Sequence, residues 1–187
     1  MPNNAYTKIA DTSCEGNTNL EKVYWPNNIT DIGTSAFHNC YALTINESHR
    51  LPNALTIIGS TAFWGCDNIY INNNTLPQSV THLNTQCFMG CDNVSLNVFG
   101  GTNNIQYIGH GAFHNAASKT SVTEVIIHSP VTLGESGSAG NYKTFESAYN
   151  PNIMTTFKSY SNFGKTNVAD LAVHLFGRTI TNTSNDV

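Results

Sequence analysis

The chain has 187 residues, 40% of them hydrophobic and only 11% charged, with a formal net charge of -4; an ordinary soluble protein carries about 25% charged residues. It has no run of Lys and Arg, which argues against nucleic acid as a partner, because a phosphate backbone demands clustered cations, and against an anionic membrane surface for the same reason. Its polarity comes from neutral side chains, including 26 Asn, which hydrogen-bond well but have little electrostatic reach.

The opening stretch, "MPNNAYTKIADTS", has no apolar core and does not read as a secretory signal. No apolar run approaches the roughly 20 residues of a membrane-spanning helix. From Cys14 a pattern begins to recur. "CEGNTNLEKVYWP" looks like the tail of a repeat unit, with Cys14, Leu20, Val23 and Pro26 in the places that later units fill in the same order.

Full units follow. "IGTSAFHNC" starts at Ile32, "IGSTAFWGC" at Ile58, "LNTQCFMGC" at Leu83 and "IGHGAFHNA" at Ile108. Aligned, they give a column of Ile32, Ile58, Leu83 and Ile108, and a column of Gly33, Gly59, Asn84 and Gly109. Phe37, Phe63, Phe88 and Phe113 share a third column, and Cys40, Cys66, Cys91 and Ala116 a fourth. Upstream, Pro26, Pro52 and Pro77 each precede an apolar residue by three positions, with Thr102 in the fourth unit. A period near 25 belongs to architectures in which each unit is one supersecondary element stacked on its neighbours. A unit of that kind exposes an apolar face that it cannot bury alone, and stacking makes one continuous core. Inward columns then tolerate only similar residues, while outward columns drift.

Within a unit, "LTIN", "IYIN" and "VSLN" alternate apolar and polar residues as a short strand does, and "NNITDIG", "NALTIIG" and "QSVTHLN" suggest a second strand. The Gly column reads as a tight bend, with Asn84 substituting because Asn tolerates positive φ. "TSAFHNC" reads as one helical turn with Thr or Ser at its cap, placing Phe and Cys inward. After Pro130 the register fades. "LGESGSAGNY" is a Gly/Ser-rich loop, and "TFESAY" is a candidate degraded turn. "NVADLAVHLFG" has helical spacing at Val168, Leu171, Ala172 and Leu175, closed by Gly177. The expected organisation is a β-rich α/β solenoid over 1–130, with units near 1–25, 26–51, 52–76, 77–101 and 102–130, and an irregular C-terminal cap or docking segment over 131–187.

The combined pattern, P-x-x-[I/L/V]-T-x-I-G-x-x-A-F-x-x-C-x-x-L over roughly residues 14–130, resembles the BspA-like leucine-rich repeats, also called the Treponema pallidum type. The resemblance implies a curved leucine-rich-repeat solenoid of about four to five turns with parallel strands. It also implies a place at an extracellular or cell surface, in adhesion or protein binding, with no catalytic residues to carry over.

Candidate chemistry is sparse. The five cysteines are an odd number. Equivalent residues on consecutive turns lie about 4.8 Å apart, within near reach of a disulfide. Replacement by Ala116 favours buried packing instead. A linear ladder cannot offer zinc its tetrahedron; Cys87 and Cys91 supply at most two ligands. His110 and His114 lie four apart without a third ligand. Asp67-Asn68 and Asp92-Asn93 are a weak start toward calcium and read better as turn-capping side chains. "GESGSAG" lacks the spacing of a serine nucleophile elbow, and no carboxylate pair suggests glycoside hydrolysis. The chain therefore reads as non-enzymatic, with no metal or cofactor. Two variable columns are candidate binding surfaces: the residue after each Phe (His38, Trp64, Met89, His114), and a second row of Asp31, Ile57, His82 and Tyr107. The partner would be a protein or cell-surface ligand, without membrane insertion. The alternative is a structural component of a large assembly, such as a phage virion or fibre, whose partners are neighbouring subunits.

Overall fold

The structure is a computed structural model that describes residues 6–101, 103–116, 122–134, 143–149 and 151–185. Most of "LGESGSAGNY", and the stretch between Ala116 and Val122, fall outside the described residues.

The elements in chain order are β1 (Lys8–Ile9), β2 (Asp31–Ile32), β3 (Ile57–Ile58), β4 (His82–Leu83), β5 (Val98–Phe99), β6 (Tyr107–Ile108), β7 (Glu124–Ile127), β8 (Thr132–Leu133), β9 (Thr156–Ser159), α1 (Val168–Phe176) and β10 (Asn182–Ser184). β1, β2, β3, β4, β6 and β8 form one six-stranded sheet in that order, and β10, β9, β7 and β5 form another. Every pairing is parallel. This is a parallel β-solenoid of about six turns, or coils.

The stretches around Ile32, Ile58 and Leu83 form strands as expected. "LTIN", "IYIN" and "VSLN" do less: they contribute the isolated parallel bridges Ile45↔Ile69 and Ile71↔Val94. Continuous pairing on that side begins only at Val98.

"TSAFHNC" is not a helical turn. It is a run of tight turns in which Ala36 N–H donates to Gly33, His38 to Ser35 and Cys40 to Phe37. The alternate residues donate sideways: Ser35 to Ser60, Phe37 to Ala62 and Asn39 to Trp64, on the next coil. A helix would satisfy its N–H groups internally and leave the coils unlinked. The geometry requires positive φ on either side of Phe, at Ser35, Thr61 and Gln86 before it and at Asn39, Gly65, Gly90 and Asn115 after it. Gly and Asn are the residues that reach this region cheaply.

The Gly column has a different reason from the expected one, since neither Gly59 nor Asn84 has positive φ. A Cβ at Gly59 would lie 2.6 Å from the Gly33 carbonyl carbon and from the Ile32 oxygen, so the backbones of successive coils touch there.

The core runs the length of the stack. Phe37, Phe63, Phe88 and Phe113 stack at centroid separations of 5.5, 5.7 and 5.9 Å. The column then continues past residue 130, through Phe145 at 5.3 Å from Phe113 and Phe176 at 5.1 Å from Phe145. Trp25 meets Phe37 edge-on at 5.4 Å at the other end. The backbone ladder continues too, with Phe113 N–H donating to Thr144 and Phe145 N–H to Leu175. β8 pairs with β6 and β9 with β7, so the coils extend beyond the expected four to five turns. "TFESAY" forms a coil because Phe145 and Ala148 keep the two inward columns, both 1% exposed, while its outward residues drift. α1 forms as expected. Asn167 caps it by accepting from Asp170 N–H, Gly177 closes it in the left-handed region, and Val168, Leu171, Ala172, Leu175 and Phe176 are buried.

Phe63 is fully buried between two stacked rings. Replacing it with Ala should cost about 3–5 kcal/mol and lower Tm by about 10 °C at this chain length. Gly59→Ala should cost about 1–3 kcal/mol, because the neighbouring backbone has no room to give. Thermal melts of both variants beside the parent check these values.

Candidate functional site

The two rows expected at the surface have different fates. Asp31, Ile57, His82 and Tyr107 are in exact lateral register on β2, β3, β4 and β6, flanked by Lys8 on β1 and Thr132 on β8. The strand alternation turns them outward and half-buried, while Ile32, Ile58, Leu83 and Ile108 beside them point into the core. His82 and Tyr107 lie 5.8 Å apart with tilted rings.

A threonine precedes three of these residues. The Thr56 hydroxyl donates to the Thr30 carbonyl at 3.0 Å and the Thr81 hydroxyl to the Thr56 carbonyl at 3.2 Å. The Thr30 hydroxyl lies 2.6 Å from Asp31 Oδ2, and that of Thr81 lies 2.8 Å from His82 Nδ1. The hydroxyl ladder thus ties coils together and restrains the row. Its sequence signal was the Thr of the first three units, replaced by Gln106 in the fourth, which repeat alignment alone does not interpret.

The row after Phe is only partly a surface. His38 and Trp64 stack at 4.8 Å with an interplanar angle of 25°, and His38 Nδ1 lies 3.0 Å from Glu15 Oε1. Met89 and His114 are 7% and 9% exposed, contrary to the expectation that the core leaves this column free. The cause at His114 is the extra coil, because Asn115 N–H donates to the Glu146 carbonyl and brings that coil alongside. His114 Nδ1 lies 3.6 Å from Glu146 Oε2. Burial pushes the His114 pKa down, against the carboxylate, which pulls it up, and His110, which adds to the fall.

The cysteines pack as thiols. Cys40, Cys66, Cys87 and Cys91 are buried and free, and Cys14 is half-buried and free. Cys66 Sγ donates to the Phe37 carbonyl at 3.0 Å and Cys91 Sγ to the Phe63 carbonyl at 2.9 Å. Each thiol therefore reaches the preceding coil, an interaction that Ala116 cannot make. Asn68 and Asn93 act similarly: their side-chain amides donate to the carbonyls of Tyr41 and Asp67 on the preceding coil, at 2.9 and 2.8 Å. They link coils rather than capping their own turn. Among the described residues there is no group of three or more potential metal ligands, and no helix is long and apolar enough to cross a membrane.

Residues 7–137 match the BspA type leucine-rich repeat region, in six copies. The chain belongs to the BspA-type leucine-rich repeat family. The fold is similar to that of a leucine rich cell surface protein from Faecalibacterium prausnitzii A2-165, at 22% identity and a TM-score of 0.57, over 85% of this chain and 45% of that one. A leucine-rich repeat protein from Bacteroides ovatus ATCC 8483 aligns at 21% identity and a TM-score of 0.43, over 82% of this chain and 52% of that one. The chain thus spans about half the length of the solved proteins it matches. No curated protein sequence matches it.

Burial raises the pKa of Cys40, Cys66, Cys87 and Cys91 above the ordinary thiol value of 9.0. The reactive thiolate is therefore suppressed. Alkylation of the native BspA-type chain at mildly alkaline pH should label Cys14 first and leave the other four intact, whereas all five react after denaturation; peptide mass spectrometry reads the difference. Stability should be full below the unfolded thiol pKa and decline as pH rises above it, because the unfolded chain then releases protons that the folded chain retains.

Proposed function

We propose that the chain is a non-enzymatic binding module of a bacterial cell surface, and that Asp31, Ile57, His82 and Tyr107 form the centre of its contact with a protein ligand. The observation that carries this reading is the lateral register of the four side chains on a parallel sheet. They stand at strand spacing of about 4.8 Å on a backbone that the coils hold rigid. An acid, an aliphatic side chain, an imidazole and a phenol side by side give a surface that can both bury area and select by hydrogen bonding. Aromatic residues are enriched at such contacts. His38 and Trp64, the half-buried pair of the other row, add a second contact. Met89 and His114 serve packing. The cell-surface placement draws support from the description of the Faecalibacterium relative.

A second reading, a structural component of a large assembly such as a virion or fibre, draws support from Tyr6 and Tyr24, which are 82% and 85% exposed near the first coil. Sedimentation of the native protein separates the two. A free or cell-bound chain favours the binding module, and co-migration with a megadalton particle favours the assembly.

The contact itself is tested by flow cytometry of the labelled chain on intact epithelial and bacterial cells. The triple variant I57S/H82A/Y107A should keep its Tm within a few degrees and lose about tenfold in cell binding, equivalent to about 1.4 kcal/mol. Unchanged binding by a folded triple variant would move the site elsewhere.

A further inference from the structure

We propose that the pocket between the last coils and α1 is a binding site for a small carboxylate with an apolar body. The pocket has a volume of about 570 Å³, within the usual range for small-molecule sites of about 300–1,000 Å³. Its apolar wall is Leu133, Phe163, Leu171 and Leu175. The two helix residues lie one helical turn apart and are buried, so they present one continuous hydrocarbon face.

The lysines give the described lining a positive charge. Lys143 and Lys165 both line the pocket, together with His110 and His174, and among the described residues no carboxylate does. Both lysines are half-buried, and neither has an ion pair among the described residues. In a chain of net charge -4 with only eight Lys and Arg, two of them converge on this one apolar cavity.

These features define the ligand's chemistry. The hydrocarbon wall asks for an apolar body. The two ammonium groups ask for a negative head. Lys offers compact point charges rather than the fork that grips phosphate bidentately. A doubly charged head would also lose more hydration on entering an apolar cavity than a singly charged one. A monocarboxylate meets all of these conditions.

The test is calorimetric titration of the full chain with octanoate, with 1-octanol as the uncharged probe of equal length. Octanoate should bind with one site per chain and raise Tm, and 1-octanol should bind at least tenfold more weakly. The variant K143Q/K165Q, with Tm confirmed near the parent's, should bind octanoate no better than 1-octanol. Should the double variant melt early, K165Q alone is used, and it should lose severalfold in octanoate affinity. The proposal is overturned by equal binding of the two probes to the parent chain, by octanoate affinity that survives the lysine replacements, or by no octanoate binding at all.

Discussion

Each phenylalanine of the central column does two things at once. Its ring stacks on the rings of the coils before and after it. Its backbone N–H donates to a carbonyl of the following coil, from Phe37 to Ala62, Phe63 to Cys87, Phe88 to Ala112 and Phe113 to Thr144, and at the last coil from Phe145 to Leu175 of α1, each at 2.9 Å. The pitch of the solenoid is set where these two requirements coincide. Ring stacking favours separations of about 4.5–7 Å, and the backbone bond brings the coils close enough for Gly59 to touch Gly33.

The unusual composition follows from this. A coil bonded chiefly to its neighbours has little stability alone. The other recurrent polar residues serve the same linkage: thiols of Cys66 and Cys91, hydroxyls of Thr56 and Thr81, and amides of Asn68 and Asn93 all donate to the preceding coil. Short neutral donors suit a repeat at strand spacing. Like charges stacked in register would repel instead. The low charge of the chain is thus a consequence of how its coils are joined. The same strict register aligns Asp31, Ile57, His82 and Tyr107 on the outer surface. At the C-terminal end, α1 delivers Phe176 to the column in place of another coil, with Phe157 edge-on to it at 5.3 Å. The cationic pocket lies where the helix meets the last coils.

Much of this was legible in the residues, because inward columns repeat. The Phe, Cys and Ile columns, the parallel strands at Ile32, Ile58 and Leu83, and the helix from Val168 to its Gly177 cap all follow from periodicity and capping chemistry. The helical-turn reading of "TSAFHNC" failed because Ala36, Phe37 and Cys40 face one side both in a helix and in a run of tight turns. The discriminating signal was the residue before each cysteine position, Asn39, Gly65, Gly90 and Asn115, which all adopt positive φ. The coil around Phe145 showed only as the degraded turn "TFESAY", because only its inward residues are kept. The burial of His114 was not legible, because it depends on contact with that coil, whose Glu146 carbonyl takes the Asn115 N–H. The Lys143–Lys165 convergence left no periodic trace, because it joins residues from a degraded coil and a connecting segment.

Native-state hydrogen exchange, read residue by residue by NMR, tests most directly whether the phenylalanine column holds the coils together. Amides protected only by bonds between coils open when coils separate. The account predicts that the amides of Phe63, Phe88 and Phe113 are among the slowest to exchange and share one opening free energy. Exchange of these amides at the rate of the exposed Glu47–Ser48 segment, or at three unrelated rates, would contradict it.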